Sequence, residues 1–168
     1  MKRLLTRRER PPAELVARLA KSERVISWAD GRDDAVVLAT NRGIWWPDDD
    51  GQRFIGWQYV DKAVWRDGVL TLTAADVVDD LLLIDLPPVS LELVTPRDLP
   101  PMIRRRVEAN VVRSELHPVV GGSARFVARK IPGRDGVVWW ARLEPGTRDS
   151  GEVRAHVARR IELLKGIG

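Results

Sequence analysis

The sequence predicts an α+β protein built around a small antiparallel β-barrel. Short runs rich in valine, isoleucine, tryptophan and threonine recur at 24–29, 35–40, 43–46, 54–65, 69–73, 81–85 and 90–94, bounded by clusters of Asp, Asn, Gly and Pro. These are about seven strands. After Asp98 the apolar spacing becomes helical, and a strand pair and a final helix follow.

Each element has its own signal. Leu15, Val16 and Leu19 recur at helical spacing behind Pro11 and Pro12, which predicts a short amphipathic helix over 13–21. Within the strand region the firmest local feature is the hairpin Trp65-Arg66-Asp67-Gly68-Val69-Leu70, because Asp-Gly accepts the positive φ angles of a type I′ turn. Asp98 is placed to cap the next helix, whose first turn accommodates Pro100 and Pro101, since their missing N–H groups have no helical partner there. Ile103, Val107, Val111 and Leu116 form its apolar stripe. A loop through His117-Pro118 and Gly121-Gly122 leads to strands at 123–131 and 136–143. The last helix starts near Asp149 or Ser150, with Val153, Val157, Ile161 and Leu164 as its buried face.

Composition narrows the class. The 168 residues can bury a core without covalent support, and the absence of cysteine excludes disulfides, thiolate metal sites and a cysteine nucleophile. No apolar run is long enough to cross a bilayer, and the basic start meets two prolines rather than a signal-peptide core. A cytoplasmic protein is expected. The net charge of +4 divides into +5 for residues 1–24, −8 for 25–96 and +7 for 97–168. An acidic middle between basic ends argues against a uniformly basic nucleic-acid-binding surface.

The order of seven short strands and one helix resembles a pleckstrin-homology-like barrel. Leu38-Ala39-Thr40-Asn41-Arg42-Gly43-Ile44-Trp45-Trp46 is similar to a hairpin of bacterial PH-like and GRAM-like domains, and so is the segment from Ile55 to Trp65 with Gly68-Val69-Leu70-Thr71-Leu72-Thr73. The whole-chain pattern also resembles uncharacterised actinobacterial proteins, which supplies no activity. The resemblance implies three parts: a basic N-terminal segment (1–23), a barrel with its capping helix (24–116), and a β-hairpin and helix packed on the barrel (117–168). It also implies a phosphoinositide site on the first interstrand loops. Here those loops read Asp30-Gly31-Arg32-Asp33-Asp34 and Pro47-Asp48-Asp49-Asp50-Gly51, whose charge repels an anionic headgroup. Aspartate is also a good turn former, and the second loop lacks the alternating spacing of a calcium loop.

Two features suggest binding. Seven tryptophans include two adjacent pairs, Trp45-Trp46 and Trp139-Trp140. Alternation along a strand sends the two rings of each pair to opposite faces, so one of each needs a second covering layer. That layer is either the C-terminal extension or a protein partner. The basic cluster Arg125, Arg129, Lys130 and Arg134, near Trp139-Trp140, is the alternative: a nucleic-acid surface of cations beside an aromatic, which Arg104, Arg105 and Arg106 could extend. Catalysis has little support. His117 and His156 lie on different elements without a ligand spacing, and Ser114, Glu115 and His117 show no sign of an oxyanion hole. The expectation is a non-catalytic protein-interaction or scaffold module, without cofactor or metal.

Overall fold

The computed structural model describes residues 9–167. A single turn of helix, α1 (Ala13–Val16), precedes strands β1 (Val25–Gly31), β2 (Val36–Thr40), β3 (Gly43–Asp48), β4 (Gly51–Gly56), β5 (Val60–Arg66), β6 (Val69–Val78), β7 (Leu82–Asp85) and β8 (Val89–Thr95). Helix α2 (Leu99–Asn110) follows, then β9 (Val111–Val119), β10 (Gly122–Lys130), β11 (Val137–Leu143) and helix α3 (Gly151–Lys165). Of the expected N-terminal helix only α1 forms; residues 1–8 lie outside the described residues.

Eleven strands make one sheet, ordered β4-β3-β2-β1-β8-β6-β7-β11-β10-β9, with β5 also paired to β6. Residues 69–72 of β6 pair with both β5 and β8, so these strands occupy its two edges. β7 and β8 run along the same edge as one interrupted strand. Residues 75–78 pair with 82–85 and residues 69–72 with 89–92, a register offset of one, and Leu86 N–H donates to the Ala74 carbonyl at 2.9 Å. Pro87 and Pro88, which bring no N–H to a ladder, stand at the interruption. β7 then meets β11 in parallel at Leu82 and Ala141.

This topology corrects the expected seven-strand barrel closed by a helix. The sheet is mixed, it has eleven strands, and it does not close. The expected long strand over 54–65 is two strands separated by a turn at Trp57–Tyr59, which carries the chain away before β4 could be joined to β6. The expected C-terminal hairpin is a three-stranded sheet, β9-β10-β11, because the helix expected to reach Leu116 stops at Asn110. Residues 111–119, including His117-Pro118, extend along β10, so the boundary drawn at 116/117 falls inside β9. Val111 and Val112 are β-branched and favour the extended state once a partner strand is available.

Two cores form. Leu99, Met102 and Ile103 of α2 pack with Val37, Ile44, Trp46, Trp57, Leu70 and Leu72 from β2, β3, the 57–59 turn and β6. Val153, Val157, Ile161 and Leu164 of α3 pack with Phe126, Ala128, Trp139 and Ala141 of β10 and β11. All four residues expected on the buried face of α3 are buried. Asp98 does not cap α2 with its side chain; the carboxylate instead accepts from the Ser27 hydroxyl at 2.5 Å. At α3 the Ser150 hydroxyl accepts from Val153 N–H at 3.2 Å. Ser150→Ala should therefore cost about 1 kcal/mol and Ser150→Gly only a few tenths, measured as shifts in the urea midpoint.

Candidate functional site

The tryptophan pairs divide between faces as alternation requires. Trp46 enters the first core, whereas Trp45 lies with Trp28, Val36 and Leu38 under Leu15. The Trp45 indole N–H donates to Glu23 Oε2 at 3.0 Å, so residues of the N-terminal segment cover it. Trp139 lies under α3, and Trp140 turns to the opposite face, where it meets Ala75, Leu83 and Val127 and stacks on Tyr59 at 5.7 Å. Trp46, Trp139 and Trp140 are buried within the chain, and Trp45 is half-buried.

The basic cluster is divided as well. Arg129 is 4% exposed. Its Nη1 donates to the Val60 carbonyl at 3.0 Å, and its Nη2 lies 3.5 Å from Asp61. Burial pulls this guanidinium below the ordinary arginine pKa, and the Asp61 carboxylate opposes that shift. Arg142 reaches the same carboxylate at 2.8 Å and also pairs with Asp85. Arg129, Arg142 and Trp140 thus clamp the C-terminal sheet onto β5, β7 and Tyr59. Arg125 pairs with Glu144 at 3.3 Å. Lys130 and Arg134 are exposed. Lys130 lies beside Arg106 and Asn110 rather than beside Arg125.

The acidic loops are built for turning. Asp33, Asp34, Asp67, Asp79 and Asp80 all have positive φ, a conformation that aspartate tolerates better than most side chains. Asp30 pairs with Arg97 at 3.0 Å, and Arg97 lies 3.4 Å over the Trp28 ring. No group of three or more acidic or histidine side chains among the described residues is placed to hold a metal ion. His117 Nε2 lies 2.9 Å from Glu115, and this hydrogen bond holds the carboxyl below the usual carboxylate range, with Arg113 adding to the effect. His117 also lies edge-on to Phe126 and within 3.0 Å of Arg160. It is half-buried and held by these partners.

What the fold leaves open is an edge. In β4 the ladder to β3 uses residues 51, 53 and 55, because Trp57 N–H donates to the Arg42 carbonyl in the same register and alternate residues point the same way. The N–H and C=O groups of Gln52 and Phe54 therefore face away from β3, where no strand among the described residues follows. In β6 the Ala74 carbonyl faces β7, so the polar groups of Ala75 and Val77 face the other edge, which β5 has left. These two edges flank a cavity of about 340 Å³, lined by Arg53, Phe54, Tyr59, Ala75, Asp76 and Val77. Phe54, 43% exposed, and Tyr59, 36% exposed, both line it. Sequence reasoning missed this place, since nothing in the run 54–65 marked its division into two strands.

Pro47 shows how the neighbouring ladder tolerates a missing donor. The β2–β3 pairing runs from Ala39 and Ile44 to Leu38 and Trp45, two residues short of Pro47, and beyond it the Val36 carbonyl accepts from the Gln52 side chain at 3.0 Å. No helix among the described residues is long and apolar enough to cross a membrane. Comparison with protein-family models, curated proteins and solved structures found no match for this chain.

Proposed function

We propose that this chain is a non-catalytic protein-interaction module that takes up an extended peptide segment along the open edge of β4, over Phe54 and Tyr59. The single observation that supports it most is the cavity between two strand edges whose backbone donors and acceptors are unpaired. An unpaired edge is a template for another strand: main-chain bonds supply affinity and side-chain pockets supply selectivity. Phe54 and Tyr59 favour a segment with an aliphatic or aromatic side chain at alternate positions, and Arg53 and Asp76 favour polar residues between them. The tryptophan pairs contribute indirectly, since Trp45 lies 5.1 Å from the Phe54 ring and Trp140 stacks on Tyr59. The nucleic-acid alternative has less support, because Arg129 and Arg125 are committed to partners within the chain.

The test is selection of a random peptide library on the immobilised protein, followed by hydrogen exchange of the complex. Enriched peptides should slow exchange at the Phe54 amide. Phe54→Pro removes that outward N–H without touching the β3 ladder and should weaken binding roughly tenfold, beyond the effect of Phe54→Ala, which deletes only the ring. Enrichment of peptides that leave the Phe54 amide unprotected, or no enrichment at all, would sink the proposal.

A further inference from the structure

At the end of the sheet opposite β4, strand β9 has a neighbour on one side among the described residues, and that neighbour is β10. Which backbone groups of β9 are left over follows from β10. The Ser123 carbonyl accepts from Glu144 N–H at 3.0 Å and its N–H donates to Thr147 Oγ1 at 3.0 Å, so Ser123 faces the β11 side. By alternation Ala124, Phe126 and Ala128 turn their polar groups to β9, where their partners are His117, Glu115 and Arg113. The N–H and C=O groups of Ser114 and Leu116 therefore point outward, away from β10. Pro118, next in the same row, brings no N–H to that edge, and towards the other end the β9–β10 register slips at Val112.

A bare edge is a template for another strand, and this one is complementary to itself. Arg113, Glu115 and His117 share the α3 face, where Arg113 stands 5.8 Å from the centre of the Trp139 ring and His117 meets Arg160. Arg113 pairs with Glu115 within the chain and still keeps 46% of its side chain open. Val112 and Leu116 are 51% and 53% exposed. Two copies can join such edges about a two-fold axis in few registers. An axis at Arg113 sets Arg113 opposite itself, and an axis at Glu115 sets Glu115 opposite itself; like charges directly opposite destabilise a strand pair. An axis at Leu116 sets Ser114 opposite Pro118, which lacks the donor its carbonyl needs. An axis at Ser114 instead sets Arg113 opposite Glu115 of the second copy, twice, and Leu116 opposite Val112, while the two Ser114 backbones exchange both bonds. The β4 edge has no such complementarity, because Arg53 is its only charged residue.

We propose that β9 pairs with β9 of a second copy of this chain, antiparallel about a two-fold axis at Ser114, so that Arg113 of each copy faces Glu115 of the other. The contact uses the same patch on both copies and closes on itself, so association stops at the dimer. The β4 edges stay free at the two outer ends of the joined sheet.

The experiment is sedimentation equilibrium of the full chain across a wide concentration range, where a reversible dimer and no larger species is expected. Arg113→Glu and Glu115→Arg should each weaken self-association about tenfold, because each sets like charges opposite. A mixture of the two variants should recover it, since the changed positions then meet with opposite charge, and this recovery separates charge pairing from misfolding of either variant. The chain has no cysteine, so Ser114→Cys places one thiol beside the axis. Mild oxidation should link two copies through position 114, whereas Leu116→Cys, which faces Val112 of the second copy, should link them far less. Phe54→Pro, at the opposite edge of the sheet, should leave self-association unchanged. A chain that stays monomeric at every concentration, a mixture that fails to recover, linkage through position 116 as ready as through 114, or loss of the dimer in Phe54→Pro would overturn the inference.

Discussion

Asp61→Ala is expected to lower the stability of the chain by about 3 kcal/mol, the low end of what removing one partner of a buried ion pair costs. The carboxylate lies between two guanidinium groups, 2.8 Å from Arg142 and 3.5 Å from Arg129. Arg142 keeps Asp85 when Asp61 is removed, but Arg129 keeps only the Val60 carbonyl. Its Nε already has no partner among the described residues, so the variant leaves a buried cation with one neutral acceptor there. Arg129→Met, by contrast, removes the charge and its orphaned donor together and should cost about 1 kcal/mol, since an apolar side chain of similar length replaces it. The double variant should therefore be more stable than Asp61→Ala alone. Urea unfolding of the four proteins gives the coupling directly. A loss below about 1 kcal/mol for Asp61→Ala, or a larger loss for Arg129→Met, would mean that the clamp does not join the C-terminal sheet to β5.

This clamp also shows what was legible in the sequence. An arginine in a strand reads as a surface cation, and Arg129 falls with Arg125, Lys130 and Arg134 in a basic cluster near Trp139-Trp140. Its burial depends on Val60 and Asp61, 69 and 68 residues away, which periodicity does not encode. Features set by local geometry were readable. The stripe Val153, Val157, Ile161 and Leu164 follows from the helical period, and Asp67-Gly68 turns with φ of 50° and 78° as its dipeptide requires. The end of α2 was not readable, because Val111 and Leu116 continue the helical pattern while pairing with β10 pulls them into β9. Nor was the opening of the sheet. Gly43 faces Gly56 across β3 and β4, and a Cβ on Gly43 would lie 2.2 Å from the Ile55 carbonyl. The close approach that requires glycine there is a tertiary fact. The candidate peptide site lies beside it, and an unpaired edge is defined by strands that fail to meet, which no run of residues announces.

Phe126→Ala should cost about 3–5 kcal/mol, as expected for deleting a fully enclosed aromatic ring. The ring is 0% exposed. It is held between β10 and the buried face of α3, with His117 edge-on at 5.6 Å. Ala124 and Ala128, two residues away on either side, are too small to fill the space it would leave. The site therefore collapses poorly, and the cavity adds to the lost transfer free energy. Because Phe126 belongs to the second core and Val37, Ile44 and Leu72 belong to the first, the damage should be uneven. Hydrogen exchange should accelerate most in β9, β10, β11 and α3, and less in β2 and β3, if the two cores open as separate units. Trp140 and Leu83 form a small cluster between the two cores, and with Tyr59 stacked on Trp140 they are the route by which disorder in one would reach the other. An increase in exchange that is uniform along the chain would show that this contact and the Arg129 clamp make the two cores a single cooperative unit. A stability loss under about 1 kcal/mol would contradict the packing of the ring itself.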